Sequence, residues 1–142
     1  MRVEMKAQKR ADTQRTIYRE LKSAFDGRFC PAGKVRDEET IAICDGMIDI
    51  LAACFSIPSV EIRSSGRANA PVARVRQIGM YVCHVVLGLT MLEVATGFVR
   101  DRSTVVHACH LIEDMRDDIE FDAIVSTLER IAQAAFGAYS ER

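Results

Sequence analysis

The chain lacks several features, and each absence excludes a class of protein. Its 142 residues include no tryptophan, and only 6% of them are aromatic. No apolar stretch is long enough to span a bilayer or to act as a signal peptide, so we expect a cytoplasmic protein. The net charge is only −1. Any affinity for nucleic acid must therefore arise from local segregation of charge rather than from a basic chain.

Cysteine and histidine are present, but not at the spacings of a disulfide framework or a metal site. The five cysteines are an odd number and include no C-x-x-C pair, so we expect buried thiols that act as small apolar residues. A metal site built from His84, His107, Cys109 and His110 is disfavoured, because residues 107 and 109 do not share a helix face. No nucleophile–base pair or cofactor loop stands out. We therefore expect neither catalysis nor a cofactor.

The first 36 residues are basic, and we treat them as separate from the main domain at 37–142. A loosely helical apolar pattern runs from about Val3 to Phe25 and stops at Asp26-Gly27. This basic N-terminal helix is either a solvated helix on the core, the interpretation that we favour, or an arm that touches phosphate. Its basic side chains are Arg2, Lys6, Lys9, Arg10, Arg15, Arg19, Lys22, Arg28, Lys34 and Arg36.

The remaining sequence predicts an all-helical fold. Ser59 is placed to cap a short turn, Pro71 suits the first turn of a longer helix, and Gly88 suits its end. Thr90 and Glu93 match the capping-box pattern of a further helix. Apolar spacing and these signals give helices over about 37–55, 59–62, 71–87, 90–97 and 121–136, besides one that begins near residue 101.

The segment 63–76 carries four arginines and no acid, in a loop with glycine and proline that runs into a predicted core helix. It is either a solvated linker or a surface for phosphate. We favour phosphate contact, because an arginine loop without acids that leads directly into a core helix is unusual.

The segment 90–115 has a helix-turn-helix pattern: a short capped helix, a turn containing glycine, and a second helix with a polar start. Asp101 or Ser103 can cap that second helix. Its expected core face is Val105, Ala108, Leu111, Ile112 and Met115, and its polar face is Arg102, Thr104, His107 and His110. We interpret it as a DNA recognition helix. The acidic stretch 113–122 would be repelled by phosphate, so we expect it to point away from DNA.

Three blocks, in the right order, resemble the C-terminal DNA-binding domain of the bacterial chromosomal replication initiator DnaA. They are Ile50–Ile62, Val72–Tyr81 and, most specifically, Arg100-Asp101-Arg102-Ser103-Thr104-Val105-Val106-His107-Ala108-Cys109. The resemblance covers about Glu38 to Asp118 and implies a compact all-α helix-turn-helix domain of the Trp-repressor and DnaA C-terminal type. It also implies binding of double-stranded DNA at short AT-rich boxes, with the recognition helix in the major groove and a loop arginine in the minor groove.

The resemblance further implies a set of DNA contacts. Asp101, Ser103 and Thr104 match positions that read bases or grip phosphate, and His107 matches a backbone contact one turn further along. Arg67 is the candidate for the minor-groove arginine. The remaining candidates are Arg74, Arg76 and Gln77, as backbone positioners, and Arg100 and Arg102 of the signature.

The sequence also departs from the family. Arg102 stands where the family usually has histidine, and arginine prefers guanine O6 and N7, so we expect a changed target sequence. The turn after Phe98 is one residue shorter than usual. No G-x-x-x-x-G-K-[ST] loop occurs, so the chain resembles stand-alone DnaA-domain proteins without the ATPase module. We expect a DNA-binding regulator of replication initiation or transcription. The alternative is a module that contacts the initiator or its regulators, suggested by the near-neutral charge and the acidic stretch 113–122.

Overall fold

The computed structural model describes the backbone of residues 35–64 and 69–140 and the side chains of 38–64 and 69–137. Within these ranges the chain is built from helices alone, without a strand, as the sequence predicts. The helices are α1 (Val35–Phe55), α2 (Ser59–Arg63), α3 (Ala70–Val85), α4 (Met91–Phe98), α5 (Arg102–Met115) and α6 (Ile119–Ser140). None of these helices is long and apolar enough to cross a membrane.

Helix α3 is the centre of the fold and packs against each of the other five described helices. Its start follows the sequence signals: Asn69 occupies the N-cap, its side-chain Oδ1 accepts from the backbone N–H of Val72 at 3.1 Å, and Pro71 lies in the first turn. Gly88 adopts a φ of 70° just beyond the helix, which an L side chain would make unfavourable. The predicted stop at this glycine is confirmed.

Helices α1 and α4 approach each other closely. A Cβ atom at Gly97 would collide with the side chain of Cys44, so glycine is the residue that permits this contact. The buried Thr40 of α1 donates its hydroxyl to Glu93 Oε2 at 3.0 Å. The other carboxylate oxygen of Glu93 accepts from the N–H of Thr90 at 3.1 Å, which completes the predicted capping box. One carboxylate therefore both starts α4 and ties it to α1.

Three cysteines lie in the core where α1, α3 and α5 meet. Cys44, Cys83 and Cys109 are each fully buried, and all three are free thiols. The hydrogen bond that the Cys83 thiol donates to Cys44 raises the pKa of Cys83 well above its ordinary value, and burial and the neighbouring thiols raise it further. The prediction of buried thiols acting as small apolar residues is confirmed for these three, whereas Cys54 is exposed. Cys30 lies outside the described residues.

A buried polar network joins α3, the end of α5 and α6. The Tyr81 hydroxyl donates to Glu113 Oε2 at 2.6 Å and accepts from Arg116 Nη1 at 3.1 Å. Arg116 also pairs with Asp122 and Glu129, each at 2.7 Å. Glu113 and Arg116 are only 7% exposed. Within the acidic stretch 113–122, Glu113 is thus buried rather than exposed, and the Tyr81 hydroxyl supplies the donor that makes its burial possible.

Several predicted boundaries differ from the structure in detail. Helix α1 begins at Val35, within the predicted N-terminal segment rather than at Asp37. Pro58 occupies the N-cap of α2, so Ser59 is the first helical residue and not the cap. Helix α6 runs from Ile119 to Ser140 and is longer at both ends than the predicted helix over 121–136. The basic N-terminal helix predicted up to about Phe25 lies outside the described residues.

Candidate nucleic-acid interface

Helices α4 and α5 are joined by a tight turn built around Val99. This residue has φ 54° and ψ 52°, the left-handed conformation, at the position following α4. The N–H of Arg100 bonds to the carbonyl of Ala95 at 2.9 Å, and the N–H of Val99 bonds to that of Thr96 at 3.3 Å. These two bonds form a Schellman motif, which usually places glycine at the left-handed residue. The turn is therefore set by backbone hydrogen bonds and holds a β-branched residue in a conformation that costs about 1–2 kcal/mol.

The start of α5 is open towards solvent. Asp101 is the N-cap by backbone geometry, with φ −67° and ψ 147°, and its carbonyl accepts from the N–H groups of Thr104 and Val105. The Asp101 side chain makes no capping hydrogen bond. The predicted cap position is thus correct, but the carboxylate itself is not used for capping. Donors at a helix N-terminus attract anions, because the peptide dipoles place partial positive charge there.

The two faces of α5 separate as the sequence predicts. The residues of the predicted polar face, Arg102, Thr104, His107 and His110, are all exposed, and so is the neighbouring Ser103. Of the predicted core face, Val105, Ala108 and Ile112 are buried, whereas Leu111 and Met115 are half-buried. A concave surface lies beside the helix start and encloses a volume of about 700 Å³. It is lined by Leu92, Ala95, Thr96, Val99, Arg100, Asp101, Arg102 and Thr104.

Arg76 does not lie where a phosphate contact requires. It is 8% exposed, and its Nε donates to the carbonyl of Ile62 at 2.7 Å. Its Nη2 donates to the carbonyls of Glu61 at 3.1 Å and Ser64 at 3.2 Å. This geometry disagrees with the predicted role of Arg76 as a phosphate contact, because its guanidinium already donates to three carbonyls at the end of α2. Arg76 thus satisfies carbonyls at the end of α2, and the Glu61 carbonyl also accepts from the N–H of Ser64 at 3.3 Å.

The other arginines of the segment 63–76 divide into different environments. Arg63 is paired with Asp45 at 3.5 Å and Asp49 at 3.2 Å, so the acids absent from the loop are supplied by α1. Arg74 is half-buried and donates to Oε1 of Gln77, one turn later, at 3.0 Å. Arg67 lies outside the described residues. The basic surface expected from this segment is therefore smaller than its composition suggests.

The sequence and the fold were compared with known proteins. Residues 44–112 match the family described as "Bacterial dnaA protein helix-turn-helix". Residues 44–112 are a DnaA-type helix-turn-helix domain. The match begins within α1 and ends within α5, so it contains the Schellman turn, the open helix start and the buried Arg76.

Relatives of this DnaA-type domain are whole initiator proteins. The chain is 36% identical over 88 residues to the chromosomal replication initiator protein DnaA of Deinococcus deserti, covering 59% of this chain and 19% of that protein. It is 31% identical over 88 residues to the DnaA of Aquifex aeolicus, covering 61% of this chain and 22% of that protein. The chain therefore spans about a fifth of the length of these relatives.

Solved structures agree with the sequence match. One, "Replication initiator DnaA bound to AMPPCP and single-stranded DNA", superimposes with a TM-score of 0.61 at 25% identity and covers 70% of this chain and 30% of that one. Another, a crystal structure of a DNA replication initiation factor, gives a TM-score of 0.62 at 26% identity with the same coverage. The all-helical arrangement of the DnaA-type domain is thus shared with proteins of known structure.

Sequence reasoning missed part of the concave surface of the DnaA-type domain. Two of its apolar side chains are largely exposed, Leu92 at 65% and Val99 at 78%. The exposure of Leu92 could have been predicted from helical spacing. Met91, Val94 and Ala95 form the buried face of this short helix, and Leu92 does not lie on that face. The exposure of Val99 follows from its left-handed backbone, which apolar periodicity does not reveal.

Proposed function

We propose that the DnaA-type domain binds double-stranded DNA in a sequence-specific manner, with the start of α5 in the major groove. The observation that carries this proposal is the exposed run Arg102, Ser103, Thr104 and His107, presented by a helix whose opposite face is buried in the core. In a helix-turn-helix protein the N-terminal residues of the second helix reach base edges, while the first helix crosses the DNA backbone. The comparisons support the proposal, because the relatives are replication initiators.

The exposed side chains suit distinct parts of a duplex. An arginine such as Arg102 can donate two hydrogen bonds to guanine O6 and N7, and the Thr104 methyl group can contact a thymine methyl. Asp101, whose carboxylate makes no capping bond, can accept from a cytosine amine. His107 lies one turn further along and is exposed, which suits a contact with the sugar-phosphate backbone.

The distribution of acids permits this orientation of α5. Four exposed acids lie between the last turn of α5 and the first turn of α6: Asp114, Asp117, Asp118 and Glu120. Arg102 and Asp114 are separated by twelve helical positions, roughly 18 Å along the axis. The Debye length in physiological salt is about 8 Å, so repulsion between these acids and DNA bound at the helix start is largely screened.

In-vitro selection from random duplexes, run at two salt concentrations, tests the proposal. We expect the full chain to enrich one duplex sequence, and we expect the Arg102→Ala and Thr104→Ala variants to lose retention of it. Arg130→Ala, which removes an exposed arginine on α6, serves as the matched control and should retain it. Selection that enriches no sequence would contradict the proposed specificity. The salt dependence of the affinity would also report the number of phosphates contacted, at about 0.9 per phosphate in the logarithmic slope.

We further propose that the bound sites control replication initiation or transcription, on the ground that the relatives are initiators. A second candidate is a module that contacts the initiator or its regulators. It is favoured by the exposed Ile119 and Ile124 on α6, which lie among exposed acids and are 60% and 45% exposed. A nuclease-treated pull-down that recovers no replication protein would count against this second candidate. The two roles are compatible in one protein.

A further inference from the structure

The end of α2 is held by an arginine from α3. The carbonyls of Glu61, Ile62 and Ser64 all accept hydrogen bonds from the buried guanidinium of Arg76. The bonds come from Nε and Nη2, so one planar group fixes three backbone positions at once. A helix of five residues has little stability of its own. The position of α2 therefore depends on Arg76.

The same end of α2 is also held from the helix-turn-helix. Arg100, in the turn between α4 and α5, donates Nη2 to the carbonyl of Ser64, the acceptor that Arg76 also uses. This contact joins residues 36 positions apart in the sequence. The Arg100 backbone is itself fixed by the bond to Ala95. The Ser64 carbonyl thus links Arg76 of α3 to Arg100, the residue that follows the left-handed Val99.

Bringing two arginines to one carbonyl has an electrostatic cost. Burial lowers the pKa of Arg76, and the nearby positive charge of Arg100 lowers it further. Arg100 also lines the concave surface beside α5, where its side chain could be solvated away from Arg76. The side chain instead approaches a like charge to reach Ser64, which indicates that the carbonyl contact outweighs the repulsion.

We infer that Arg100 is a positioning residue, which ties the end of α2 to the turn before the recognition helix instead of contacting DNA directly. The inference rests on the proposed function and assigns a different task to one member of the predicted contact set. By bonding to Ser64, Arg100 fixes the spacing between the end of α2 and the start of α5. In the sequence, Ser64 precedes Arg67, the candidate minor-groove residue, by three positions. A fixed spacing lets contacts from both regions meet one duplex in register.

A distance measurement in the absence of DNA tests the positioning role. Spin labels at Val60→Cys and Ile119→Cys would report the separation of α2 from the α5–α6 junction, since both positions are highly exposed. Cys30 and Cys54 would be changed to serine, while the three buried thiols remain. We expect Arg100→Ala to broaden or shift the distance distribution, Arg100→Lys to restore it in part, and Arg130→Ala to leave it unchanged. An unchanged distribution in Arg100→Ala would overturn the inference.

Affinity measurements separate positioning from phosphate contact. With the selected duplex and a scrambled duplex as probes, positioning predicts that Arg100→Ala weakens binding of the selected duplex by roughly tenfold and of the scrambled duplex far less. A direct phosphate contact predicts equal losses on both duplexes and a logarithmic salt slope lower by about 0.9. Equal losses would therefore overturn the inference and leave the proposed function standing. If the unmodified chain prefers no duplex, the proposed function fails, and the DNA-free distances still decide whether Arg100 positions α2.

Discussion

The two ends of α5, the helix that we propose reads DNA, are built in opposite ways. At its start the polar side chains are exposed and the Asp101 carboxylate makes no capping bond. At its end Glu113 and the C-cap residue Arg116 are buried, and both form a hydrogen bond with the Tyr81 hydroxyl of α3. Arg116 also forms ion pairs with α6. The exposed start, Asp101 to Thr104, is the tip of α5. The buried end, Glu113 to Arg116, is its base.

This difference separates stability from recognition along a single helix. Side chains at the tip are exposed and can meet a ligand, while the base holds the helix orientation. Charges at the base are matched within the protein, so their removal leaves unpaired partners in a buried site. Substitutions at the base should thus change the free energy of unfolding, and substitutions at the tip should change binding.

The largest expected effect comes from Arg116→Ala at the base. The Arg116 side chain is 4% exposed and pairs with Asp122 and Glu129. It also stacks over the Tyr81 ring, with Cζ 5.7 Å from the ring centroid. Removing one partner of a buried ion pair costs about 3–5 kcal/mol, because the remaining charges lose their compensation. Denaturant unfolding followed by circular dichroism would measure the loss.

The matched control for Arg116→Ala is Arg130→Ala, which removes an exposed arginine on α6. We expect it to change the free energy of unfolding by no more than about 0.5 kcal/mol. If the two arginine variants had equal stability, the base of α5 would not be anchored by charge, and the contrast between the two ends would fail.

A smaller loss is expected from Tyr81→Phe. Burial, together with the hydrogen bond to Glu113, raises the pKa of Tyr81, so its hydroxyl stays protonated as a donor at all ordinary pH values. Phenylalanine keeps the ring but leaves the buried Glu113 without this donor. A buried acceptor left unsatisfied costs about 1–3 kcal/mol. Unfolding measurements on Tyr81→Phe, Glu113→Gln and the double variant would test this origin, since additive losses would show that the two groups do not interact.

The helices and the helix-turn-helix could be predicted from sequence because their signals are local. The Thr90–Glu93 capping box and Gly88 each act within a few residues, and the structure places them as expected. The role of Glu113 could not be predicted in this way, because its partner Tyr81 lies 32 residues earlier in the sequence. Helical spacing did indicate that Arg116, another member of this network, is buried, since it follows the buried Ile112 by one turn.

Arg76 illustrates a second limit of sequence reasoning. Its charge suggested a phosphate contact, yet it follows the buried Val72 by one turn and so lies on the inner face of α3. The acceptors that make its burial possible are backbone carbonyls at the end of α2. Backbone acceptors have no side-chain signature, so neither composition nor periodicity can indicate them. Tertiary packing therefore decides which arginines remain available for an outside partner and which hold the fold together.

The turn that presents the tip should tolerate, and gain from, Val99→Gly. Val99 is 78% exposed and left-handed, so glycine removes backbone strain without loss of packing. We expect stabilisation on the order of 1 kcal/mol, after allowance for the greater freedom of glycine in the unfolded chain. Val60→Gly is the matched control, at a similarly exposed position inside α2, and should destabilise by about 0.5–1 kcal/mol. Thermal unfolding would show whether each variant gains or loses stability. A loss of stability in both variants would show that Val99 is not strained.

The smallest expected effect on stability comes from Thr104→Ala at the tip, and it sharpens the comparison most. Thr104 is exposed on the first turn of α5, so its loss should change the free energy of unfolding by less than about 0.5 kcal/mol. Binding of the selected duplex should weaken by about 1–3 kcal/mol if the side chain touches a base. Arg116→Ala should show the reverse when assayed at a temperature where it remains folded, with a large stability loss and a smaller change in affinity. General unfolding cannot explain a result in which Thr104→Ala loses mainly affinity and Arg116→Ala loses mainly stability. If stability and affinity instead fell together in both variants, the tip and the base would not be independent.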